Sequence, residues 1–177
     1  MAGQRSAAFH IMHEVHKAHP DFMPAGLAEW IEGLNESGAT QARQLMPEIQ
    51  LAIREIVLTT LRAEHGQEWW REGVPRRIRV DVVQTQEASE EAGERESFFD
   101  LLDYKHIAED QWGLFDQSLG MGEGKSKKSR LEWFDKLNLI RRKVAHPERG
   151  PVSREEVELM GEIESALADV VGRLGKD

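Results

Sequence analysis

The sequence predicts an all-α protein, on three observations: apolar residues recur every three to four positions through its longest ordered stretches, helix-boundary residues bracket those stretches, and no segment shows convincing strand alternation. At 177 residues one buried core suffices. The expected organisation is an N-terminal helical extension over 1–40 and a helical bundle over 41–177.

Residues 5–19 and 25–34 read as two short helices, separated by Pro20 and Pro24 and ended by Asn35, Ser37 and Gly38. From Pro47 to Glu64, Ile49, Ala52, Ile53, Ile56, Thr60 and Leu61 keep a 3.6-residue period, with Pro47 in the first turn and Gly66 as the stop. Trp69 and Trp70 are adjacent and cannot share one helix face, so they are expected to wedge a turn against the core before Val74-Pro75. A further helix is expected over Arg76–Gly93, a turn over Ser97–Tyr104, and a helix carrying Ile107, Trp112, Phe115 and Leu119 that ends near Gly120. Gly120–Ser129, rich in Gly, Lys and Ser, reads as exposed loop. In residues 131–146, Trp133, Leu137, Ile140 and Val144 fall within about 60° of one another at 100° per residue, so one face is buried. Pro147 turns His146 away from helical geometry and sets the end of that helix. Ser153 and Glu156 then form a capping-box pattern, Val152 can staple to Val157, and the last helix runs Arg154–Leu174 on the stripe Val157, Met160, Ile163, Leu167, Val170 and Leu174 before Gly175.

With no cysteine, the chain has no disulfide framework, thiolate zinc site or cysteine nucleophile, which fits a reducing compartment, and a cytoplasmic location is expected. No apolar run approaches the roughly 18 residues that span a bilayer, and the first twenty residues lack a signal-peptide core, so no membrane partner is expected. The formal net charge of −9 should repel a polyanion as a whole. Its distribution is uneven: Lys125–Arg149 carries nine basic residues against three acids, a local +6, which leaves −15 elsewhere. Glu87, Glu90, Glu91, Glu94, Glu96 and Asp100 read as a solvated face and loop.

Two patterns resemble binding sites without meeting their requirements. Gly120-Met-Gly-Glu-Gly-Lys-Ser126 echoes a phosphate-binding loop, but the position five residues before the Gly-Lys-Ser is Leu119, where glycine is needed. His10, His13, His16 and His19 recur every third residue, so only neighbouring pairs share a helix face, and a catalytic zinc needs a third ligand from elsewhere. No metal or cofactor is expected.

Asn138-Leu-Ile-Arg-Arg-Lys-Val-Ala-His-Pro147 combines an apolar anchor face, a dense cationic edge and a terminal histidine. Metal-free RNA cleavage must remove the 2′-hydroxyl proton, stabilise charge on the phosphate and protonate the leaving 5′-oxygen. Histidine can act as base or acid near neutrality, and arginine offers planar, permanently charged donors to phosphate. Arg141 and His146 lie about 140° apart on an ideal helix, so one straight helix does not aim both at a single point. A helix ending at Pro147, together with a two-fold partner, would unite them. Histidine, arginine and lysine near a helix C-terminus are also favoured by the macrodipole alone, so residue types leave a structural role open.

Arg141-x4-His146, the Trp69-Trp70 pair before Val74-Pro75, Asp100-Leu-Leu-Asp-Tyr104 and Trp133 leading into the motif helix together resemble the HEPN superfamily. The likeness is to its prokaryotic members similar to the C-terminal domain of a eukaryotic nuclear RNA-surveillance endonuclease, and it covers roughly residues 41–177. Arg142 stands where asparagine is common in that motif. The resemblance implies a helical bundle, pairing of two copies through the motif helices, and metal-independent endoribonuclease activity in defence, toxin–antitoxin or stress systems. By that implication Arg141 holds the scissile phosphate, His146 moves protons, and the products carry 2′,3′-cyclic phosphates. Lys125, Lys127, Lys128, Arg130, Lys136, Arg142 and Lys143 are the expected RNA-gripping cations. The expected partners are RNA, a second copy of the chain, and a protein partner or antitoxin. The alternative is a non-catalytic module of the same kind that binds nucleotide or RNA, or dimerises and docks in a larger complex.

Overall fold

A computed structural model describes residues 26–89 and 93–175, except for the side chains of 27–32, 34 and 35. The described residues are helical with no strand, so the fold is all-α. The expected helix at 5–19, with its four histidines, lies outside the described residues, as do Glu90 and Glu91. The chain divides into two units, Met1–Ser37 and Gly38–Asp177.

Helix α1 runs Leu27–His65 without a break at Asn35–Gly38, which corrects the expected end there. The reason is tertiary. A Cβ on Gly38 would stand 2.6 Å from the Val152 carbonyl oxygen, so this glycine lets the helix approach the segment before the last helix closely. Pro47 lies inside α1 and not in its first turn. It is exposed, where water can satisfy the carbonyl that its missing N–H leaves free. Ala42, Met46, Ile49, Ile53, Ile56, Val57 and Leu61 bury the inner face of α1.

After α1, a 3₁₀ turn (Gly66–Glu68) and a π turn (Trp69–Gly73) place both tryptophans partly buried against the core. Helix α2, Arg76–Ala88, stops short of the expected Gly93. Its buried residues are Ile78 and Val82, and no large apolar residue follows Val83 before Gly93 to reward a longer helix. A 3₁₀ turn, Arg95–Phe98, precedes helix α3, Leu101–Asp110, where the sequence suggested a turn. Asp100 and Asp103 form a reciprocal capping box that starts α3. The expected single helix through Ile107 and Leu119 is two, α3 and α4 (Trp112–Leu119), parted at Gln111, whose side-chain amide donates to the Glu72 carbonyl.

Gly120–Ser126 is loop, but Lys127–Arg130 forms a single helical turn, α5, capped by Ser126. Helix α6 follows at Glu132–Ala145 and ends at His146, as Pro147 requires. Trp133, Phe134, Leu137 and Ile140 are buried, and Val144 packs partly against the core. Helix α7, Arg154–Leu174, has the Ser153/Glu156 capping box and buries Met160, Ile163, Leu167 and Val170. Three polar bonds from two side chains fix α6 against its neighbours. The Trp133 indole N–H donates to the Leu119 carbonyl at 2.9 Å, and the buried Lys105 ammonium of α3 bonds both Asp135 oxygens at 2.8 and 2.9 Å.

Candidate functional site

Helix α6 carries the motif outward from this anchored base. Ile140 is buried, Arg141 half-buried, Arg142 exposed, and His146 stands exposed where the backbone leaves helical geometry, at φ −134° and ψ 79°. The two expected catalytic side chains point to different places. The Arg141 guanidinium forks onto Asp100, with 2.6 Å from Nη1 to Oδ1 and 3.3 Å from Nη2 to Oδ2. Such parallel charged bonds are the arrangement arginine uses for carboxylate and phosphate alike. His146 Nδ1 lies 3.2 Å from Glu148 Oε1. The His146 side chain is 54% exposed and that of Glu148 71%, so both are open to solvent.

Asp100 does two jobs at once. It caps α3, accepting from the Leu101 amide at 2.8 Å, and it neutralises Arg141. The Asp103 carboxylate accepts from the Asp100 amide at 2.8 Å. Burial raises the Asp103 pKa above the ordinary carboxylate value, and the negative Asp100 beside it adds to the rise, while hydrogen bonding to the Asp100 amide opposes it. Next in the core, burial pushes the Tyr104 phenol up to about 12.

The expected RNA-gripping cations fall into two groups. Lys125, Lys128, Lys136 and Arg142 are exposed with no ion pair among the described residues. The others are engaged within the chain. Arg130 pairs with Asp116 and donates to the Gly120 carbonyl; Lys143 bonds both Glu156 oxygens at 2.7 and 2.9 Å; Lys127 donates to the Glu109 carbonyl at 3.0 Å. The glycine-rich loop is likewise occupied. The Gly122 amide donates to the Arg130 carbonyl at 2.8 Å, and a Cβ there would stand 2.2 Å from the Ser129 carbonyl oxygen. Glycine serves chain-to-chain packing here, and that amide is not free for a phosphate.

Of the acidic residues expected to form a solvated face, Glu96 and Asp100 instead meet arginines. Glu96 is buried against Arg62. Burial raises its pKa, but hydrogen bonds from its own backbone, to Glu94 and to Arg62, with the Arg62 charge, bring it below the ordinary value. Sequence reasoning missed Asp100 and Glu148 as partners of the motif. The His-x-Glu spacing was a readable signal for Glu148, whereas Asp100 lies 41 residues from Arg141 and no local pattern links them.

On α6, Leu139 is 57% exposed and lies about 60° from Arg142 around the helix, so an uncovered leucine and Arg142 share the solvent side, with the exposed His146 just past the helix end. Among the described residues, no three His, Asp or Glu side chains are placed to hold a metal, and no helix is long and apolar enough to cross a membrane. No family model, curated protein or solved structure matches the chain.

Proposed function

We propose that this chain is a HEPN-type, metal-independent endoribonuclease of the cytoplasm whose active site forms when two copies pair along α6. The observation that carries the reading is the exposed His146 at the end of α6, its Nδ1 3.2 Å from Glu148, on the same helix as an arginine fork already shaped for an oxyanion. In this mechanism the Arg141 fork exchanges Asp100 for the scissile phosphate. One His146 takes the 2′-hydroxyl proton, and the partner copy's equivalent protonates the departing 5′-oxygen. Attack of the 2′-oxygen on phosphorus breaks the P–O5′ bond and leaves a 2′,3′-cyclic phosphate and a 5′-hydroxyl. Leu139 supports the pairing, because an uncovered leucine between Lys136 and Arg142 is buried most simply against its own symmetry mate. Lys136, Arg142, Lys125 and Lys128 supply sequence-independent phosphate contacts. A protein partner or antitoxin would restrain such an enzyme in a defence or stress system.

The Asp100–Arg141 pair favours a second reading, a non-catalytic module that binds RNA or nucleotide, or docks in a larger complex, since in this geometry the arginine is neutralised. Incubating the purified chain with a labelled single strand in EDTA separates the two. The expected result is cleavage leaving cyclic-phosphate ends, lost in Arg141→Ala and His146→Ala while both variants stay folded and dimeric. Cleavage that persists in His146→Ala would overturn the assignment, and a wild type that binds but never cleaves would favour the second reading.

A further inference from the structure

Three arginines lie over tryptophan rings: Arg62 over Trp69 at 5.1 Å, Arg95 over Trp70 at 5.4 Å and Arg130 over Trp112 at 5.5 Å. Their surroundings differ. Arg130 is fixed by Asp116 and Gly120, and Arg62 by Glu96, so both stacks are parts of the scaffold. Arg95 is exposed and has no ion pair among the described residues; its contact is the indole. Trp70 also meets Phe99, nearly parallel at 22° between planes with centroids 5.8 Å apart, and Phe99 in turn meets Tyr104 edge-on at 5.4 Å. Trp70 is therefore a partly exposed aromatic shelf under a guanidinium with few other constraints.

A flat guanidinium on an indole occupies the space that a nucleobase would take, and bases stack on such shelves with little sequence preference. The position in the chain adds to this. Phe99, the ring beside Trp70, is the residue before Asp100, whose carboxylate holds Arg141. Two nearby carboxylates, Glu96 and Asp100, are each paired with an arginine and so repel a phosphate less than free ones would; Glu94 keeps the affinity modest.

The geometry points to a stacking slot, formed by Trp70, Phe99 and Arg95, for an unpaired base of single-stranded RNA, the guanidinium moving out to lie on the base's far side. The choice of RNA rests on the ribonuclease reading; the slot itself does not. A duplex presents base faces only at its two ends, so the slot favours single strands.

The test is a titration of the full-length His146→Ala protein, which prevents turnover, with a short oligo-uridylate or oligo-adenylate and with a blunt RNA duplex of equal length. Tryptophan emission should be quenched by the single strands and little by the duplex. Trp70→Phe, which keeps a ring, should remove most of the quench while anisotropy of a labelled strand shows binding retained. Arg95→Ala, at an exposed position, should weaken single-strand binding five-fold or more, with duplex binding and the melting curve unchanged. Equal binding of strand and duplex, absence of binding, or an Arg95→Ala protein with wild-type affinity would each overturn the slot. Quenching by single strands in a chain whose wild type never cleaves would sink the ribonuclease reading and leave the slot standing. Cleavage by a wild type indifferent to Arg95→Ala would do the reverse.

Discussion

The two ends of helix α6 are built to opposite rules. At its start, Trp133 and Phe134 are buried, the indole N–H is bonded to Leu119, and Lys105 clamps Asp135 from the neighbouring helix. At its end, Arg142, Ala145 and His146 are exposed, and the ion pairs there, Arg141–Asp100 and His146–Glu148, are partly open to solvent. The contrast teaches where stability and chemistry are divided: a rigid base holds the helix axis, so the few side chains at its tip can be committed to a ligand without cost to the core.

Phe134→Ala strikes the anchored end, and should lower unfolding free energy by about 3–5 kcal/mol in a denaturant titration, since a fully buried ring leaves a cavity. His146→Ala at the other end should stay within about 0.5 kcal/mol of wild type. A destabilisation of similar size at both ends would break the comparison.

Asp100→Ala comes next. Removing the cap of α3 should cost about 1 kcal/mol, while the freed Arg141 binds RNA more tightly, so stability falls as affinity rises. If affinity fell as well, Asp100 would be holding Arg141 in place for its ligand and not competing with it.

Asp103→Asn sharpens the contrast with the smallest effect. An acid whose folded pKa is raised favours folding when protonated, and that contribution is lost as pH rises through the folded value. Asparagine keeps an acceptor for the Asp100 amide and removes the charge beside Asp100. The variant should gain a few tenths of a kcal/mol at neutral pH relative to wild type. The gain should vanish on acidification below the ordinary value of 3.8, read from melting curves across that range.

The same division explains what the sequence could show. Helices α6 and α7 were legible because their apolar stripes, Pro147, and the Ser153/Glu156 box are local signals. The run of α1 through Gly38 was not, because the reason for that glycine is the Val152 carbonyl over a hundred residues away. The start of α3 had a local signal in Asp100-Leu-Leu-Asp103, a capping box with aspartate in place of the usual glutamate, and it read as a turn. Within the candidate site, the position of His146 followed from Pro147, but the partner of Arg141 did not, since bundle packing alone brings Asp100 to it.

The shared carboxylate of Asp100 ties the beginning of one helix to the last turns of another, and it has only two oxygens to give. An anion that takes Arg141 returns both of them to the first turn of α3, so capture at the arginine is felt as a tighter α3 start. The amides of Leu101–Tyr104 would then exchange with solvent more slowly in the ligated protein than in the free one, a spectroscopic record of occupancy written outside the site itself.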